Sequence, residues 1–188
     1  MSQRIRLHDD PAINTEPPPD LLRDRLTPAE VLFVRNNGTL PQAANGWTLE
    51  VTGLVHRPLS LTPDELRARF APARVTAVLE CAGNGRSAFE PRAEGLPWGH
   101  GAVGCAEWSG VRLADVLDAA GLDEAAIYIG HESPDHAIGR PGVVALSRGL
   151  PIGKAMAPET LLAFEMNGAP LTPLHGFPLR IVAPGYPG

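Results

Sequence analysis

Apolar positions in this chain follow two rhythms, alternating and helical, and a proline or glycine cuts each one short. Val31-Leu-Phe-Val34 reads as a short strand that delivers Arg35, Asn36 and Asn37 to a turn at Gly38. Trp47 to Val55 alternates as a half-buried strand does, and Val75 to Leu79 is a β-rich run short enough for a buried one. Ala126 to Gly130 predicts another strand, followed by a polar loop from His131 to Gly142. Leu161 to Met166 ends in Asn167-Gly168, a turn signal that favours a strand over a helix. The stretch 176–184 holds a last strand, with His175 before it and Arg180 within it. Thr62-Pro-Asp-Glu65 predicts a capped helix running to about Phe70. A second helix follows Glu107-Trp-Ser-Gly-Val111, with Leu113, Val116, Leu117 and Ala120 on one face and Gly121 stopping it. Leu21 to Leu26 suits a short helical turn. Strands and short helices mix irregularly, so the expected class is α+β rather than a regular βαβ series. Residues 1–20 are polar and close on Glu16-Pro-Pro-Pro-Asp20, which predicts an extended arm on the surface. Residues 21–188 form the domain proper.

Composition narrows the function classes. The chain has 188 residues, 44% hydrophobic and 20% charged, enough for one sizeable core. Twenty prolines and twenty glycines argue for many loops. A formal charge of −5 without any Lys/Arg run gives no footprint for nucleic acid. No apolar stretch approaches a membrane span and no signal peptide is visible, so either a cytoplasmic or a periplasmic setting is expected. Two cysteines, Cys81 and Cys105, exclude a disulfide scaffold.

The chemistry concentrates on Val75-Thr-Ala-Val-Leu-Glu-Cys-Ala-Gly-Asn-Gly-Arg-Ser87. A thiol at a strand end, beside free backbone N–H groups and the Arg86 guanidinium, suits an anionic or metal-bearing ligand. The same residues also allow Cys81 to be a small buried hydrophobe beside an ordinary turn. Further candidates lie at other strand ends: Arg35-Asn36-Asn37, Trp98-Gly-His100, His131-Glu132, and His175 with Arg180. Gly83-Asn-Gly-Arg-Ser87 lacks the spacing and lysine of a P-loop, the histidines lack zinc spacing, and no nucleophile elbow accompanies Ser87.

Taken together, six segments resemble the molybdopterin-binding domain of the sulfite oxidase family, in its bacterial type without a haem domain. They are Phe33-Val-Arg-Asn36, Glu80 to Ser87, Gly95-Leu-Pro-Trp98, Gly101 to Leu117, Leu161 to Gly168, and His175-Gly-Phe-Pro-Leu-Arg180. They stand in the family's order and span most of residues 31–184. The resemblance implies a mixed α+β fold and a molybdenum–molybdopterin cofactor with Cys81 as the thiolate on the metal, a soft ligand for a transition metal. It places Phe33, Arg35, Asn36, Asn37, Glu132, His175 and Arg180 at the cofactor. Arg35, Arg86 and Trp98 fall at an oxyanion pocket, where guanidinium groups supply attraction and orientation. Cys105 is expected to be structural.

The implied activity is oxidation of sulfite to sulfate by oxygen-atom transfer, with electrons passed to an external acceptor such as a cytochrome. A related oxyanion or sulfoxide reductase, or an inactive cofactor-binding module, is the alternative. The chain departs from the family pattern at several places: Asn37 has no neighbouring His, Gly85 stands where a second Arg is frequent, Glu132 replaces an Asp, and Gly149-Leu-Pro-Ile152 replaces Ser-Ile-Pro-Leu. Family members also continue beyond the equivalent of Gly188, usually into an immunoglobulin-like dimerisation domain. A C-terminally truncated chain, with any homodimer formed through the absent region, is therefore expected.

Overall fold

Leu161-Leu-Ala-Phe164 is apolar without interruption because the strand it forms is covered on both faces. The computed structural model describes residues 4–7, 12–40 and 46–187; residues 1–3 and 8–11 of the predicted arm lie outside them. The strands are β1 (Ile5–Arg6), β2 (Asn14–Glu16), β3 (Val34–Arg35), β4 (Leu49–Val51), β5 (Leu59–Leu61), β6 (Pro72–Glu80), β7 (Val103–Arg112), β8 (Tyr128–Glu132), β9 (Ser147–Pro151), β10 (Leu161–Met166), β11 (Ala169–Pro170) and β12 (Arg180–Val182). The helices are α1 (Pro63–Arg69), α2 (Leu113–Ala120) and α3 (Ile152–Ala155). The α+β class is therefore the observed one, sheet-dominated with short helices.

The largest sheet among the described residues runs β11-β10-β7-β6, with β12 also on β10. β12 pairs Leu161 to Ala163 and β11 pairs Glu165 and Met166, so β10 divides its bonding edge between two short strands. β7 takes the opposite edge, with a bulge between Ala163 and Glu165. Period-two alternation sends Leu161 and Ala163 to one core, with Leu32, Phe33, Trp98 and Trp108. Leu162 and Phe164 go to the other, which α1, α2 and α3 close through Leu66, Val116 and Ala155.

The first helix forms where its signals stand. The Thr62 side chain accepts from the Glu65 amide while the Glu65 carboxylate accepts from the Thr62 amide, and Pro63 occupies the first turn. Other expectations need correction. Val75–Leu79 belongs to a longer strand, β6, that pairs with β7 alone among the described residues and is not buried on both faces. Val75, Ala77 and Leu79 pack inward, whereas Val78 is 57% exposed. The stretch before α2 is no mere lead-in but ten residues of strand. β8 begins two residues later than predicted and runs into the supposed polar loop as far as Glu132, paired with β9. The arm is extended in β1 and β2, yet it does not lie on the surface over 12–17: Ala12 and Asn14 to Pro17 are buried. β2 is enclosed because it pairs with both β1 and β3.

Candidate functional site

The strip Phe33 to Asn37 runs through and past β3, and alternation divides its side chains. The Phe33 ring is buried, edge-on to Trp98 with centroids 6.0 Å apart. Arg35, Asn36 and Asn37 instead line a cavity of about 240 Å³, shared with Asn14, Leu96 and Arg140. Asn14 Oδ1 accepts from the Asn36 amide at 3.0 Å and from Arg35 Nη1 at 3.4 Å, and Asn36 Nδ2 donates to the Ile13 carbonyl at 3.2 Å. Arg35 also donates to the Asn36 carbonyl. Two guanidinium groups, Arg35 and Arg140, thus border one cavity whose lining contains no carboxylate among the described residues.

His175 and Arg180 form a second group behind this strip. A carbonyl only accepts, so His175 Nε2 carries the proton donated to the Phe33 carbonyl at 3.3 Å, and Nδ1 accepts from the Thr172 hydroxyl at 3.0 Å. Burial and the guanidinium groups of Arg180 and Arg4 push the His175 pKa down to about 4, so the ring is neutral at physiological pH. Arg180 donates to the His175 carbonyl at 3.2 Å and lies 5.3 Å over the Trp108 ring. Desolvation brings its pKa down to about 10, which still leaves it charged. No carboxylate pairs with it among the described residues, and the buried Trp108 Nε1 has no acceptor. A desolvated cation without a counter-charge, beside an orphaned donor, can be offset by an anion, although Arg180 itself does not line the cavity of about 240 Å³.

Cys81 ends β6. Its amide donates to the Ala102 carbonyl at 3.0 Å and its carbonyl accepts from the Asn84 amide at 2.9 Å. The side chain is half-buried and borders a cavity of about 510 Å³ with Val78, Glu80, Ala82, Asn84 and Tyr186. Arg86 folds back so that Nη1 donates to the Leu96 carbonyl at 3.0 Å. Its guanidinium sits in a slot between Gly83 and Gly95, where an added Cβ would meet it at 2.7 and 2.8 Å. Arg86 therefore borders neither cavity directly; it backs Leu96, which lines the first.

The predicted residues are thus partly assembled. Phe33, His175 and Arg180 meet, Arg35, Asn36 and Asn37 line one cavity, and Cys81 lines another. Trp98 does not stand as a pocket wall: it is fully buried in the core and lines neither cavity. Glu132 is exposed at the end of β8, opposite Ser147, and lines neither cavity. Cys105 is held through its backbone, exchanging bonds with the Thr27 amide and hydroxyl at 2.7 and 3.1 Å. Sequence reasoning missed Asn14, Glu16 and Arg140. Glu16 accepts from the amides of Gly99 and Gly101 at 2.7 and 2.9 Å. Of the three, Arg140 carried the clearest signal, in a loop already read as polar.

Comparison with known proteins agrees with this chemistry. A family model described as an oxidoreductase molybdopterin binding domain matches residues 37–188. The chain is 40% identical to the sulfite oxidase of Gallus gallus, over 98% of this chain and 41% of that protein. It is 37% identical to an NAD(P)H nitrate reductase of Hordeum vulgare, over 98% of this chain and 22% of that one. Among solved structures, the sulfane dehydrogenase SoxCD from Paracoccus pantotrophus matches with a TM-score of 0.83 at 29% identity, covering 100% of this chain and 47% of the other. The chain spans less than half the length of each of these proteins. The cofactor such a domain takes is a molybdenum-bearing pterin, and the uncompensated Arg180, with Trp108 Nε1 lacking an acceptor, fits an anionic group. Fold, cation placement and these matches agree: the chain belongs to the oxidoreductase molybdopterin-binding family.

Proposed function

We propose that this chain is the cofactor-bearing part of a sulfite-oxidising enzyme, converting sulfite and water to sulfate, two protons and two electrons that pass to an external acceptor. The observation that carries the reading is the position of Cys81. Its half-buried side chain packs against the core that holds Trp98 and Trp108, and at the residue that follows β6 it also lines a cavity of about 510 Å³. A thiol so placed can serve as the protein ligand to a soft metal. When bound, the molybdenum–pterin group supplies oxygen-atom transfer and storage of the electron pair.

The chain's residues contribute position and charge. Arg180 holds an anionic part of the cofactor, while neutral His175 fixes the Phe33 carbonyl and presents its own carbonyl to Arg180. Arg35 and Arg140 attract the dianion to the cavity of about 240 Å³, whose Leu96 wall Arg86 fixes. The nitrate reductase relatives keep a second oxyanion reading open, because a guanidinium-lined cavity suits nitrate too.

The test is Cys81→Ser in the cofactor-loaded protein, assayed with sulfite and with nitrate against one-electron dyes. Sulfite turnover should fall by about a thousandfold or more with pterin content and thermal stability near those of the parent. Undiminished turnover would remove Cys81 from the reaction, and turnover of nitrate alone would replace sulfite as the substrate.

A further inference from the structure

We infer that Glu16 is a positioning residue, whose carboxylate sets the Trp98–Gly101 segment against the loop carrying Cys81 and Arg86. Asn14 and Glu16 are two apart on β2, so both side chains leave the same face of the strand. Both are buried, at 2% and 7% exposure. Asn14 reaches Arg35 and Asn36, and Glu16 reaches Gly99 and Gly101. One short strand therefore touches both the segment that lines the cavity of about 240 Å³ and the segment that holds the Cys81–Ser87 loop.

The peptide between Trp98 and Gly99 is gripped at both ends. Its N–H donates to Glu16 Oε1 at 2.7 Å, and its carbonyl accepts from the Ser87 amide at 2.9 Å. The next carbonyl, of Gly99, accepts from the Gly85 amide at 2.6 Å. A carboxylate on the N–H side polarises the peptide and strengthens the bond at its carbonyl end. The segment continues into Ala102, whose carbonyl holds the Cys81 amide at 3.0 Å and whose amide donates to Asn84 Oδ1 at 3.1 Å. Glu16 is thus connected through one row of peptides to both ends of the Cys81–Ser87 loop. A Cβ on Gly101 would strike the Pro17 carbonyl, so only glycine lets this segment lie so close to the strand's end.

The functional part of this inference rests on the proposed oxidase reading; the structural part does not. Glu16→Gln keeps the size of the side chain and one acceptor, and loses the second acceptor and the charge. In the cofactor-free chain, amide exchange at Gly99 or Gly101 should accelerate about tenfold. Exchange in β10 should stay unchanged, and alkylation of Cys81, mapped by mass, should speed several-fold while that of Cys105 does not. In the loaded protein KM for sulfite should rise with kcat little changed.

Unchanged exchange at both glycines overturns the proposal, as does acceleration spread evenly through β7 and β10, which would mark a general loss of stability. Local acceleration with unchanged Cys81 alkylation and unchanged KM overturns the positioning role. If the parent protein does not turn over sulfite, the oxidase reading fails and the exchange and alkylation results decide the role of Glu16 alone. Should the variant not fold, exchange in the parent decides: Gly99 and Gly101 amides must be as slow as those of β7, and loop-like rates sink the idea.

Discussion

His175 lies 3% exposed between a carbonyl and a hydroxyl, and its proton balance follows from that enclosure. With a folded pKa of about 4 against 6.5 for the free side chain, the unfolded chain binds the extra proton between those values. Its contribution is therefore intact above pH 6.5 and is lost progressively as pH falls toward 4, by roughly 3 kcal/mol in all. Denaturant midpoints across that window should show the loss, and His175→Gln should flatten the profile; an unaltered slope would contradict the buried neutral ring. The acidic residue at position 16 shows why part of the site was hidden from sequence reading. Beside three prolines it reads as a solvated arm, and the amides that bury it lie 83 and 85 positions away. Cys81 was legible because its signal is local: an apolar run, a thiol and two glycines in sequence.

Elements with self-contained signals were read where they form. The α1 capping box is complete within four residues, and Asn167-Gly168 turns β10 into β11 with both residues at positive φ. Thr62→Ala should cost about 1 kcal/mol in thermal or denaturant unfolding while leaving pterin content and turnover intact. A loss of cofactor from that exposed cap would show that the helical layer acts on the site. Elements whose state depends on neighbours were read less well. Val75 to Leu79 looked buried on both faces because five residues cannot reveal that β6 has only one partner strand among those described. β9, the partner of the predicted β8, and the short α3 were missed among closely spaced glycines and prolines, where packing rather than periodicity decides. Trp98 followed the family motif, but whether it reaches a cavity depends on Phe33, far off in sequence.

At the scale of the molecule, a charge of −5 coexists with a cavity bordered by Arg35 and Arg140. Repulsion of a dianion acts at long range and is screened first, since the screening length shrinks from about 30 Å at 0.01 M salt to about 8 Å at 0.15 M. Attraction at the cavity acts at contact and survives. On the sulfite reading, kcat/KM measured over that range should hold or rise modestly; a steep fall would mean that a long-range positive field governs capture.

The bond from His175 to the Phe33 carbonyl joins residues 142 positions apart, and Asn167 donates to the Thr27 carbonyl across 140. During vectorial synthesis the strip at 33–37 leaves the ribosome early and waits for its partners. β10 and its two edge strands follow much later in the chain, and with them the His175–Arg180 cluster. Contacts of such separation give little return until the intervening loop has closed. The apolar segment from Val31 to Val34 consequently stays uncovered until those partners have emerged, a natural hold for a chaperone. On the proposed reading, cofactor loading at His175 and Arg180 has to wait for that closure.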